Sequence, residues 1–577
     1  MSKRTVIGLL GLTLAALGAY RFRRQIIGRL LGLPPAQYAT GVERNIRVPM
    51  PDGVGLMADH YFPKVTGAFP TILIRSTYGR GSDIGGPLGL MMRFIGTRFA
   101  ERGYHVIIQT TRGRFDSEGE TEPFVDAAPD GRATLDWIAR QAWFDGNVGM
   151  WGQSYLGYVQ WAVAAGAPPY LKALVPSVTT SQFRSVLYPD GAFGLDTFLR
   201  WVFMVETMDS RDIRSKWEIM QRLNAYTIGR LLAPAFQHLP IVEADTVAVG
   251  APLSYYRNWL THSRPDDPYW KQMDYSSGLS RVTVPVHLVS GWYDLILREL
   301  IADYTTLKAA GRSPYLTVGP WAHTDPGGLV GALREGIIWF DAHLKGDRRR
   351  LREKPVRIYV MGAQEWREMD SWPPPARETR YFLRANRQLS TEGPEADSPP
   401  DQYCYDPADP TPSVGGPLLM PPSGPADNRA LEARPDVLCC TTLALGADAE
   451  VIGSVRLELY VRSSLAHTDF FGRLCDVYPD GRSINICDGL FRAAPGKGEP
   501  QPDGSLRIEV DMWATAHRFR RGHCLRLQVS SGAHPRWSRN LGTGEPIATG
   551  TKMLVADQTI YHDRAHPSAL ILPVMTS

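Results

Sequence analysis

The segment Gly152-Gln153-Ser154-Tyr155-Leu156-Gly157 constrains the fold of this chain more than any other. Before it, Asn147-Val148-Gly149-Met150-Trp151 reads as a short buried strand. After it, Tyr158 to Ala165 is apolar and free of breakers until Gly166, as a buried helix is. A serine at such a strand-to-helix corner is a nucleophile elbow. The corner forces Ser154 into a strained backbone that only small neighbours, Gly152 and Gly157, accommodate. The strain lifts the hydroxyl clear of the sheet, beside the amides of the helix N-terminus. The same residues also suit an ordinary tight turn, so the rest of the chain has to decide.

With 577 residues the chain is too long for one compact domain and predicts about three or four units. Its 44% hydrophobic and 21% charged content excludes wholesale disorder. A net charge of +4 spread over this length makes no basic stripe, so no nucleic-acid partner is expected. The six cysteines, Cys404, Cys439, Cys440, Cys475, Cys487 and Cys524, fit no zinc spacing and are read mostly as buried apolar residues.

At the N-terminus, Lys3-Arg4 precede an apolar stretch from Val6 to Tyr20, with Arg21, Arg23, Arg24 and Arg29 close behind. The stretch suits a signal core or a short anchor better than a full membrane span. The arginines behind it argue against simple export. Residues 1–33 are therefore expected to attach the protein to a membrane, with export or an amphipathic surface helix as the alternatives.

After Pro34-Pro35 the chain alternates strands and helices. Ile46 to Met50 and Gly55 to Tyr61, around Pro51-Asp52-Gly53, read as an edge hairpin. Pro70 to Arg75 and His105 to Thr110 are apolar runs of the kind buried in a parallel sheet, with Leu88 to Arg102 helical between them. Asp130 to Ala142 is a second helix and Tyr170 to Val178 a further strand. The expected fold is α/β, a doubly wound sheet with helices on both faces. Its first part is residues 40–180. Residues 181–280 lack a convincing strand and form an inserted helical cap. Strands at Val284 to Ser290 and Pro314 to Val318, and a helix at Gly331 to Leu344, complete the sheet over 281–352. From 353 to 577, runs such as Val356 to Val360, Val451 to Val461 and Leu506 to Met512 alternate in polarity, as in an antiparallel β-sandwich.

A serine hydroxyl needs a base, and the base an orienting carboxylate, in the order serine, acid, histidine at the carboxyl ends of strands. Gly291-Trp292-Tyr293-Asp294 and Gly319-Pro320-Trp321-Ala322-His323 stand where those loops belong. Of the 13 histidines, His323 alone follows Asp294 on a loop after the succeeding strand. Asp303 and Asp325 compete with Asp294, which is preferred for its place directly after a strand. For the oxyanion, one donor is the backbone amide of Tyr155. The other should come from Ser76-Thr77-Tyr78-Gly79; no HGGG-type run is present, and the Tyr78 phenol is a candidate.

The chain resembles the cocaine esterase and X-Pro dipeptidyl-peptidase family of α/β-hydrolases. The matching stretches are Arg75-Ser-Thr-Tyr78, Thr111 to Gly119, Gly149 to Gly157, Gly291 to Asp294 and Gly319 to His323, followed by Tyr405-Asp-Pro to Gly416, Arg434-Pro-Asp-Val and His517 to Asn540. The resemblance implies Ser154 as nucleophile, His323 as general base and acid, and Asp294 as its orienter. It also implies Tyr78 beside the Tyr155 amide in the oxyanion hole, a C-terminal jelly roll, and neither a metal nor an organic cofactor. Relatives that hydrolyse α-amino-acid esters carry acidic residues after the triad aspartate, where this chain has Leu295, Ile296 and Leu297. Such a wall cannot hold an ammonium without a large desolvation cost. The expected substrate is a small-molecule ester, or an amide, with an uncharged, bulky or aromatic acyl group held by Leu295 and the cap aromatics Phe198 and Trp201. An X-Pro dipeptidyl-peptidase or acylase is the alternative.

Overall fold

In the computed structural model, which describes residues 24–84, 86–210 and 216–576, ten strands form the first sheet. They are β1 (Thr40–Pro49), β2 (Gly55–Pro63), β3 (Phe69–Ser76), β4 (His105–Thr110), β5 (Phe144–Gln153), β6 (Leu171–Ser177), β7 (His287–Tyr293), β8 (Tyr315–Ala322), β9 (Val356–Val360) and β10 (Glu365–Met369). Their order is β1-β2-β4-β3-β5-β6-β7-β8-β9-β10. The strands from β4 to β9 are parallel, with antiparallel edges at both ends. Successive side chains feed opposite faces, as the strand repeat requires. Ile72 and Ile74 of β3 join one core with Met92 and Phe99, while Leu73 joins the other with Leu135 and Ile138.

Helices cover both faces: α1 (Gly86–Ala100), α2 (Ala127–Ala139), α3 (Tyr155–Ala164), then, beyond the insertion, Leu297–Ala309 and Pro326–Leu344. The chain leaves β3 for β4 on one side and β5 on the other. The carboxyl ends around this reversal form the crevice where such sheets bind ligands.

Between β6 and β7 the insertion is helical. It contains α4 (Phe183–Leu187), α5 (Leu195–Met208), α6 (Lys216–Arg222), α7 (Ala225–Gln237), α8 (Ala244–Val249) and α9 (Ser254–Thr261). Among its described residues the one β contact is an isolated bridge between Gln182 and Asp274. The insertion is fastened to the sheet by Arg114, whose Nη2 donates to Val205 O at 2.6 Å. It is fastened again by Phe115 N, which donates to Asp209 Oδ2 at 2.9 Å.

Residues beyond 376 build a second sheet of twelve strands, all antiparallel but for one single-residue pairing. Its wings face each other: a Cβ at Gly472 would meet Leu457 Cδ2 at 2.5 Å and Met512 Sδ at 3.4 Å. Val356 to Val360, expected with this sandwich, belongs instead to the first sheet as β9, paired in parallel with β8. Its alternating pattern reflects a position near the sheet edge rather than membership of the second unit. The turn after it stitches the sheets together: Met361 N donates to Ala516 O at 2.9 Å, and Arg518 N to Met361 O at 2.8 Å.

The expected membrane attachment through residues 1–33 is corrected. Among the described residues no helix is long and apolar enough to cross a membrane. Residues 1–23 lie outside the described residues. The remainder of that segment packs on the protein: Leu33 is buried in the core with Phe99, and Arg24 Nη1 donates to Tyr38 O at 2.6 Å. Arg102 Nε closes the attachment by donating to Pro34 O at 2.8 Å.

Candidate active site

Ser154 caps α3 with φ 57° and ψ −122°, a left-handed backbone rarely taken by a non-glycine residue. Such strain costs about 1–3 kcal/mol and persists only where the surroundings over-determine it. Here they do. Ser154 N donates to Ser177 O at 2.9 Å, and Ser154 O accepts from Thr179 Oγ1 at 2.9 Å. A Cβ at Gly152 would lie 2.3 Å from Leu156 Cβ, and one at Gly157 2.5 Å from Thr179 Cγ2. Both glycines are demanded by close approach of β5, α3 and the end of β6.

The ends of β7 and β8 supply the partners. His323 Nε2 lies 3.0 Å from Ser154 Oγ, and His323 Nδ1 lies 2.7 Å from Asp294 Oδ1. Asp294 is fully buried, and its other oxygen accepts from Ser290 Oγ at 2.6 Å. Ile296 N donates to Asp294 Oδ1 at 3.3 Å. Serine, imidazole and carboxylate thus form one chain of contacts, and the aspartate's donors hold it against rotation. The two competing aspartates are employed elsewhere. Asp303 accepts from Ser181 N and Oγ, and Asp325 caps the Pro326–Leu344 helix through Gly327 N.

Tyr78 follows β3 at the same edge. Its hydroxyl accepts from Trp201 Nε1 at 3.0 Å. Burial pushes this phenol above its ordinary pKa of 10, partly offset by Trp201, by the nearby Ser154 side chain and by the positive charge of Arg114. The hydroxyl therefore keeps its proton. Trp201, expected against the substrate, also directs its N–H at Tyr78, a role no sequence spacing disclosed. Tyr155 offers the first-turn amide of α3, whose donor has no partner within a helix. Its own phenol, pushed up to about 12 by burial, accepts from Phe124 N at 3.2 Å.

Two cavities meet at Ser154 and His323. One, of about 50 Å³, is walled by Tyr155, Phe183, Phe198, Trp201, Leu295 and Ile296. Phe198, Trp201 and Leu295 thus stand together beside the serine, but they enclose little space. The rings pack on one another: Phe124 and Phe183 stack at 3.8 Å between centroids, and Phe183 meets Phe198 edge-on at 5.7 Å. The second cavity, of about 510 Å³, opens on the other side of Ser154. Met91, Met92, Met204, Met208, Met220 and Met420 line it. The sequence reading missed these methionines; the signal, a methionine pair on α1 and others on α5 and α6, is indistinguishable from core packing without the fold. Leu419, carried in from the second unit, walls both cavities, and Thr324 Oγ1 donates to its carbonyl at 3.2 Å. Among the described residues no cluster of histidine, cysteine or acidic side chains could hold a metal ion.

Comparison with known proteins supplies the family. Residues 52–325 match the family described as X-Pro dipeptidyl-peptidase (S15 family). Residues 351–571 match the X-Pro dipeptidyl-peptidase C-terminal non-catalytic domain. A cocaine esterase from Rhodococcus sp. (strain MB1 Bresler) is 35% identical over 572 residues, covering 92% of this chain and 98% of the relative. The chain belongs to the cocaine esterase and X-Pro dipeptidyl-peptidase family. Like other members of this family, it is an α/β-hydrolase with a C-terminal non-catalytic unit. An aminopeptidase from a marine sediment Thaumarchaeota archaeon has the same fold, with TM-score 0.78 at 23% identity over 94% of this chain and 98% of that one. So does an α-amino acid ester hydrolase, with TM-score 0.77 at 22% identity over 93% and 97%. Membership in this family makes the protein a serine hydrolase.

Proposed function

We propose that the protein hydrolyses carboxylic esters with uncharged acyl groups through an acyl-enzyme on Ser154. His323 Nε2 takes the Ser154 proton as Oγ attacks the carbonyl carbon. The Tyr155 amide and the Tyr78 hydroxyl receive the negative charge that develops on the carbonyl oxygen. His323 then returns the proton to the departing alcohol, and a water molecule, activated in the same way, frees the acid. Asp294 fixes the ring so that Nε2 faces the serine and stabilises the imidazolium. The contact chain Ser154–His323–Asp294 beneath an apolar lining carries this reading.

The lining favours an uncharged acyl group. Leu295 and Ile296 are each 8% exposed and face the small cavity. The X-Pro dipeptidyl-peptidase reading needs a carboxylate for the peptide's ammonium. Among the described residues lining either cavity, Asp325 alone is acidic, and one of its oxygens already accepts from Gly327 N at 2.7 Å. A fluorophosphonate probe should label the wild type and leave Ser154→Ala unlabelled. Turnover of p-nitrophenyl esters should exceed that of X-Pro anilides. Faster cleavage of the anilides would replace the esterase reading with the peptidase one.

A further inference from the structure

We propose that the two cavities divide the substrate unequally: a short acyl group in the aromatic pocket and a long, flexible hydrocarbon alcohol in the methionine-lined one. This rests on the esterase reading above and names the substrate class it serves. The sides are told apart by the proton. The alcohol oxygen must receive it from His323 Nε2, so the alcohol extends along the histidine loop. Thr324 and Asp325 of that loop, with Pro326 and Leu329 of the helix it leads into, line the larger cavity, whereas His323 alone of these residues reaches the smaller one. The bond broken is the acyl C–O bond. The alcohol leaves with the proton, and the acyl group stays on Ser154 Oγ until water replaces it.

The wall chemistry sets the class. Six of the chain's 16 methionines face the larger cavity, joined by Ile84, Leu88 and Ile95. Thioether side chains are unbranched and adapt to irregular apolar shapes, which suits a chain with many conformers better than a rigid ring system. Tyr78 and Gln153 are polar beside the serine; farther out, apart from the histidine loop, Asn224 is the one residue with an amide, hydroxyl or charged side chain among the described lining residues. Its oxygen is occupied as the N-cap of α7, accepting from Tyr226 N and Thr227 N. Among the described residues no lysine or arginine lines this cavity, so none of them answers an anionic chain end. At about 510 Å³ against about 50 Å³, bulk belongs on the alcohol side.

The test uses two homologous series on the full-length protein. In the first, the acyl group is held at acetate and the alcohol lengthened through ethyl, butyl, hexyl, octyl and decyl. In the second, the p-nitrophenyl leaving group is held and the acid lengthened from acetate to decanoate. We expect kcat/KM to rise roughly two- to fourfold per methylene in the first series, the transfer free energy of one CH₂ being about 0.8 kcal/mol. In the second, kcat/KM should fall beyond butyrate. A rise with acid length, or no dependence on alcohol length, overturns the assignment. Met92→Trp and Met204→Trp, which fill the larger cavity, should move the optimum to shorter alcohols. An unmoved optimum in a variant with wild-type thermal unfolding also overturns it. Fluorophosphonate labelling of Ser154 and its loss in Ser154→Ala are read in parallel. If labelling fails, the esterase reading falls; if it holds while chain length behaves otherwise, only this inference falls.

Discussion

At the scale of single residues, the oxyanion site depends on a hydroxyl held by an indole. Tyr78→Phe should lower kcat by about two to three orders of magnitude with a smaller change in KM, the range for loss of one oxyanion donor. Trp201→Phe keeps an aromatic ring in place but removes the N–H that fixes the phenol. It should lower kcat by about tenfold, less than loss of the hydroxyl itself. Burial raises the Tyr78 pKa above 10, so its donor survives into alkaline solution. Deprotonation would set an anion beside the developing oxyanion, and the shift delays that loss. Wild type and Tyr78→Phe should therefore share the shape of their pH–rate profiles up to about pH 10, differing only in height. An alkaline limb present in wild type and absent in the variant would show that the phenol titrates within that range.

At the scale of elements, the elbow works because β5, α3 and the end of β6 approach more closely than a side chain allows. Gly157→Ala drives a methyl into Thr179, whose hydroxyl holds the Ser154 carbonyl. It should lower kcat at least tenfold while the protein stays folded by circular dichroism. The helix Leu297–Ala309 is tied to the start of the cap by Asp303, whose carboxyl accepts from Ser181 N at 2.8 Å. Burial pushes its pKa up to about 7, with Ser181 opposing. Between about pH 4 and 7 the folded protein then holds a proton that the unfolded chain has released. On this account stability falls as pH rises through that window. Asp303→Asn, which keeps the shape without the titration, should flatten the dependence of Tm on pH there. An equally steep slope in the variant would exclude Asp303 as its source.

At the scale of the whole molecule, the second unit completes the site by lending Leu419 and Met420. The loop bearing them is anchored through Arg473, fully buried, which donates to Val414 O at 2.7 Å and to Asn428 Oδ1 at 2.7 Å. Asp488 neutralises it at 2.8 Å and also pairs with Arg536. Asp488→Ala would strand two buried guanidinium groups at a cost of about 3–5 kcal/mol. The expected readout is a lowered Tm together with a raised KM, because the loop that walls both cavities loses its anchor. An unchanged KM in a destabilised variant would separate the anchor from the site.

Some of this was open to inspection in the chain alone. A corner that tolerates only glycine on either side of a strained serine leaves a local mark, because the steric demand falls on neighbouring residues. Asp294 and His323 are likewise marked by their places directly after strands. Residues separated by a long stretch of chain leave no such mark on one another. That Trp201 Nε1 meets Tyr78, that β9 joins the first sheet, that ring packing shrinks the aromatic pocket and that methionines from α1, α5, α6 and the second unit share one cavity depend on contacts the linear order does not encode. Hydrophobic side chains are interchangeable in pattern, and only their packing in three dimensions separates a filled core from an empty binding space.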